Sequence, residues 1–129
     1  MAQQTRAFTY WAPRVLSLLF VAFLALFSLD VIEPGMSAGQ IALGLLMHNI
    51  PALLLLAVVV VAWKRELVGA VAFMLAGLLY VVFVFVARAD IPWHLALSWI
   101  LTITGPAFLT SLLWLLSWNA ARKHRPPLP

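Results

Sequence analysis

Residues 38–87 read AGQIALGLLMHNIPALLLLAVVVVAW, then KRE, then LVGAVAFMLAGLLYVVFVFVA. Two apolar runs, Ala38 to Trp63 and Leu67 to Ala87, are parted only by Lys64-Arg65-Glu66. A helix rising about 1.5 Å per residue crosses a hydrocarbon core of roughly 30 Å in some 20 residues, and both runs reach that length. In lipid, backbone N–H and C=O groups must be satisfied inside a helix or a closed barrel. Barrel strands need only about 9–11 residues, so runs this long are read as helices. A three-residue break then sends the second helix back alongside the first.

The same pattern extends outward. Upstream, Val15 to Ile32 is apolar apart from Ser17, Ser28 and Asp30, and it stops at Glu33-Pro34-Gly35. Pro13 suits the first turn of that helix, where its missing N–H costs nothing. Ser37 suits the N-cap of the next. Downstream, Arg88-Ala89-Asp90 precedes a fourth run from Pro92 to Trp118, with a kink expected at Gly105-Pro106. The prediction is an all-α fold, a four-transmembrane-helix antiparallel bundle running up-down-up-down. One membrane domain fills residues 1–129, with helices over 14–32, 38–63, 67–87 and 92–118 and a basic, Pro-rich cytoplasmic tail over 119–129. The second run is longer than the bilayer requires, so it tilts or bends, and Pro51 supplies a reason to bend. Cleavage of the first run as a secretory signal is not expected. The run exceeds a usual signal core, and Asp30 and Glu33 sit where a peptidase needs small neutral residues.

Composition agrees. The 129 residues are 65% hydrophobic and 9% charged, against about a quarter charged in a soluble domain. The net charge of +4 does not point to nucleic acid, because the basic residues flank apolar runs and form no patch with interleaved aromatics. Cysteine is absent, which removes disulfides, thiolate metal sites and cysteine nucleophiles. No cofactor or metal is expected.

Basic residues set the orientation. Four spans place the N-terminus, the second-to-third connection and the C-terminus on one side. Seven cations fall there, Arg6, Arg14, Lys64, Arg65, Arg122, Lys123 and Arg125, against Arg88 alone on the other side with Asp30, Glu33 and Asp90. The positive-inside rule then puts both termini in the cytoplasm. Tyr10, Trp11, Trp63, Trp114 and Trp118 would form an aromatic belt at that surface, and Trp93 would mark the other.

Ionisable groups within spans are costly in lipid, so Asp30 and His48 are the candidate functional residues. Asp30 lies near the outer end of its helix, where Arg88 is a potential partner. His48 shares a face with Gly44 and Ala52, which directs it into the bundle. Pro51 leaves the Met47 carbonyl without its usual donor, a gap that His48 or Asn49 would serve. Asp30 and His48 occupy the two arms of the first hairpin, so a carboxylate–imidazole pair across it is a hypothesis to test. It stands beside an interfacial cap or Arg88 partner for Asp30 and a structural hydrogen-bonding role for His48. Ser98, Thr102, Pro106 and Thr110 on the fourth run, and Gly69, Ala72 and Ala76 on the third, read as close-packing faces. His94, beside Trp93, reads as interfacial, and haem ligation by His48 with His94 is not expected because they differ in depth. Pro126-Pro127-Leu128-Pro129 reads as a disordered end rather than a polyproline ligand.

Trp11-x-x-Arg14, Phe27-x-x-Asp30, His48-x-x-Pro51 and Ala62-Trp63-Lys64 with Gly69 beyond resemble a family of small prokaryotic four-helix integral membrane proteins of unknown function. The resemblance covers roughly residues 10 to 80. It implies a four-span fold and singles out Asp30 and His48, but it implies no activity. No paired carboxylates, H-E-x-x-H, G-x-S-x-G or zinc-spaced ligands occur, so an enzyme is not expected. The expectation is a non-enzymatic accessory or structural subunit of a larger membrane complex, or a homo-oligomer, in a prokaryotic cytoplasmic membrane. The alternative is a small oligomeric transporter or channel that uses Asp30 and His48.

Overall fold

The computed structural model of the chain describes residues 2–88 and 90–123. Four helices follow in order: α1 (Ala2–Leu26), α2 (Ala38–Ala62), α3 (Glu66–Ala87) and α4 (Trp93–Lys123), with a 3-10 turn over Phe27–Val31 after α1. No strand occurs among the described residues. All four are long and apolar enough to cross a membrane, the first taken together with its 3-10 turn as Gln4–Val31. The fold is all-α, as the apolar runs predict.

Local chemistry explains where most of these helices start and stop. Ser37 forms a reciprocal capping box: its hydroxyl accepts from the Gln40 N–H at 3.3 Å, and the Ser37 N–H donates to Gln40 Oε1 at 2.9 Å. Glu66 places a carboxylate in the first turn of α3, where the helix dipole favours negative charge. Arg122 and Lys123 occupy the last turn of α4, where it favours positive charge.

Three boundaries depart from the sequence reading. Pro13 lies inside α1 rather than in its first turn, because residues from Ala2 onward are already helical. Nearby side chains bind the carbonyls around the proline: Arg14 Nη1 donates to the Tyr10 carbonyl, and Ser17 Oγ donates to the Pro13 carbonyl at 2.6 Å. The fourth helix runs on to Lys123, so residues 119–123 are helical, while 124–129, including Arg125 and the proline-rich end, lie outside the described residues. The first run ends its α-helix at Leu26 and tightens into the 3-10 turn that carries Asp30.

The helices pack as a ring. Each touches its neighbours in sequence, α4 returns to α1, and the α3–α4 contact is the most extensive. Opposite members, α1 with α3 and α2 with α4, make no close backbone contact. Along α3 and α4 the contacts run in opposite order. Glu66 meets Ser117, Ala70 meets Ser111, and Gly77 meets Thr104. Two glycines permit this approach. A Cβ on Gly69 would lie 2.7 Å from the Trp114 ring, and one on Gly77 would lie 2.5 Å from Phe108.

Burial is arranged for an apolar surrounding. Leu79, Val86 and Phe85 are among many large apolar side chains turned outward. Arg14, Ser17, Thr110, Ser111 and Ser117 are buried alongside Phe73, Val59 and Trp114. Lipid solvates the apolar exterior, and the small hydroxyl residues let helices approach while binding backbone carbonyls.

Candidate functional site

The ring of helices has two unlike ends. At one, a polar layer joins all four. Arg14 on α1 is 1% exposed, and its Nη2 donates to Glu66 Oε1 on α3 at 3.3 Å and to the Trp63 carbonyl at the end of α2 at 3.2 Å. Ser117 on α4 donates to the same Glu66 oxygen at 2.7 Å. Trp114 Nε1, also on α4, donates to Ser17 Oγ on α1 at 2.8 Å. The guanidinium carbon lies 3.6 Å from the centre of the Tyr10 ring and 5.1 Å from that of Trp114, within reach of cation–π attraction. Arg14 Nε is buried without a hydrogen-bond partner. Among the described residues Arg14–Glu66 is the one ion pair. Phe73, Val59 and Trp114, each at most 1% exposed, pack beside this layer.

At the other end the helices separate around a cavity of about 730 Å³. All four contribute: Phe20 and Leu24 from α1, His48, Pro51 and Leu55 from α2, Ala76, Tyr80 and Phe83 from α3, and Trp99, Thr102 and Ala107 from α4. Phe27 of the 3-10 turn and Arg88 at the end of α3 complete the wall. Its floor is buried Phe20, Leu55 and Ala107, which abut the polar layer. The lining is aromatic and aliphatic, with Arg88, His48, Tyr80 and Thr102 as its polar side chains. Walls that are mostly apolar with a few polar groups are common in small-ligand pockets, whose volumes run roughly 300–1,000 Å³.

The structure divides the residues singled out from sequence. His48, Pro51, Arg88 and Thr102 share the cavity wall, and Asp30 and Asn49 do not. Asp30 is exposed and forms neither an ion pair nor a hydrogen bond with His48 or Arg88 among the described residues. A 3-10 turn advances side chains by about 20° more per residue than an α-helix, so Asp30 does not keep the azimuth that a continuous helix implies. Asn49 does serve its own backbone, but it donates to Leu45 at 2.9 Å rather than to Met47. Thr102 donates to the Ser98 carbonyl at 2.8 Å. His94 stands edge-on to Trp93, with ring centres 5.9 Å apart, and is not part of the wall.

Two expected faces are met only in part. Ser98 and Thr102 are exposed, Pro106 is half-buried and Thr110 is fully buried, and the buried side of α4 carries Thr104, Ala107, Thr110, Ser111, Trp114 and Ser117. A four-residue stripe drifts about 40° per step around a helix of 3.6 residues per turn, so it cannot follow one face for long. On α3 the buried face is Gly69, Ala70, Phe73 and Gly77, with Ala72 and Ala76 at its margin. Trp114, expected in the interfacial belt, is fully buried because Gly69 leaves room for its ring. Arg14, counted as a flanking cation, is buried and paired. The signal that marks this layer was present in the sequence: Trp11-x-x-Arg14, Ala62-Trp63-Lys64 and Gly69 all bring residues to it.

Fold and burial together define a multi-span membrane protein, with a buried polar layer towards one end and an open cavity towards the other. The chain belongs to the family described as Domain of unknown function (DUF7670), whose model matches residues 1–127. The match therefore extends beyond the stretch that carried the resemblance, to the fourth helix as well. No curated protein and no solved structure matches the chain at a significant level.

Proposed function

We propose that the chain is a non-enzymatic accessory or structural protein of a prokaryotic cytoplasmic membrane, packed against a larger membrane complex or a second copy of itself. The helices alternate in direction, and both termini and the Lys64-Arg65 turn face the cytoplasm. One observation carries this reading: the buried polar side chains hold helices to one another. Arg14, Glu66, Ser17 and Ser117 bind across the bundle, and Ser111 donates to the Ala70 carbonyl at 2.6 Å. Groups engaged in this way stabilise a scaffold. The test is purification in mild detergent after cross-linking in the membrane. Recovery with larger subunits, or as a defined homo-oligomer, is expected, and a lone monomer at every protein concentration would overturn the proposal.

Orientation has its own test, helped by the absence of native cysteine. A cysteine at Lys64 should react only with a thiol reagent that reaches the cytoplasm, and one at Asp90 should react from outside. The cavity supports a second reading, a small oligomeric transporter or channel with His48 in its wall. That reading requires the Arg14 layer to open, and Asp30, outside the wall, would act at the entrance. Proton-coupled flux into vesicles holding the purified chain alone would favour it.

A further inference from the structure

We propose that the cavity at the Arg88 end binds a single-chain anionic amphiphile, a long-chain carboxylate, with its tail on the floor and its charge at Arg88. The wall itself argues for this. Its lower part, Phe20, Leu24, Leu55, Ile103 and Ala107, offers no polar side chain and matches a hydrocarbon tail. Its one formally charged member is Arg88, and no Asp or Glu lines it. Asp30, Glu33 and Asp90 lie at the same end of the molecule, yet none forms an ion pair with Arg88 among the described residues. A guanidinium over an apolar chamber, without a protein carboxylate, is complementary to an anionic head group and takes a carboxylate by two parallel hydrogen bonds. His48 and Tyr80 carry further polar atoms on the wall, and neither makes a side-chain hydrogen bond among the described residues. The volume, about 730 Å³, lies in the small-ligand range and argues for one chain rather than a whole two-chain lipid.

This inference does not rest on the accessory reading, because a scaffold and a transporter would both display the cavity. The test uses the full chain in nanodiscs of phosphatidylcholine, with 9,10-dibromostearate as the probe, at a pH that keeps the acid ionised. Trp99 lines the cavity, so bound bromine should quench its fluorescence with a saturable dependence on probe. The methyl ester of the same acid, which has no charge, should bind at least tenfold more weakly to the unaltered chain. Arg88→Gln should weaken acid binding to the level of the ester, and Trp99→Phe should remove the saturable quenching. Ala76→Leu, which fills part of the chamber, should also reduce binding. Quenching that rises without saturation, or is equal for acid and ester, would overturn the proposal. So would saturable quenching by dibromostearoyl phosphatidylglycerol but not by the free acid, since the occupant would then be a bilayer lipid.

Discussion

The Arg14 end and the Arg88 end each offer a guanidinium to the bundle, and the two are treated in opposite ways. Arg14 is 1% exposed, paired with Glu66 and flanked by Tyr10, Trp63 and Trp114. Arg88 is exposed, has no carboxylate partner among the described residues and lines a cavity. Charge alone does not make an intramembrane arginine functional or structural. What decides is whether neighbouring elements bring it an acid. Glu66 opens α3 directly after the tight turn from α2, so the turn that reverses the chain also delivers the carboxylate to Arg14. The connection from α1 to α2 is longer and begins with a 3-10 turn, and its carboxylates, Asp30 and Glu33, stay away from Arg88.

The largest contrast should come from removing each arginine. Arg14→Met leaves the partly buried Glu66 without its cation and should cost about 3 kcal/mol in equilibrium unfolding from mixed micelles. Arg88→Met should cost under about 0.5 kcal/mol, as for an exposed site. Equal losses would erase the distinction between the ends. Packing should follow the same division. Gly69→Val drives methyl groups into the Trp114 ring and should destabilise by about 1–3 kcal/mol. Ala76→Leu grows into the cavity instead, and should change stability by no more than about 1 kcal/mol, neutral or favourable. A large loss there would mean that the chamber closes in the native membrane. The smallest effect concerns Asp30 and His48. Because they share neither an ion pair nor a hydrogen bond, single and double alanine variants should add to within about 0.5 kcal/mol. Clear coupling would restore the pair that the hairpin suggested.

How much was legible follows from the scale of each feature. Span number and the approximate positions of the apolar runs depend on hydropathy over some 20 residues, and single side chains barely affect them. Faces depend on azimuth, where small errors accumulate. The stripe Ser98–Thr102–Pro106–Thr110 starts off the interface and reaches it only at Thr110 for that reason. Proline misled at Pro13 because its preference for a first turn is a local tendency, and α1 is already helical from Ala2, with Arg14 and Ser17 binding carbonyls around the ring. Arg14 was readable as a flanking cation from its position before an apolar run. Its burial needed Glu66, Trp63 and Trp114, which lie 49 to 100 residues away and come from three other helices.

From the residues in order came four helical spans, the tight α2–α3 turn and the polar positions worth attention, since backbone satisfaction in lipid depends only on local composition and length. The three-dimensional arrangement decided which polar groups meet. It joined Arg14 to Glu66 across the bundle, separated Asp30 from His48, and gathered His48, Arg88 and Thr102 around one chamber. Those outcomes depend on helix azimuth and on how closely facing backbones approach, and a linear pattern specifies neither.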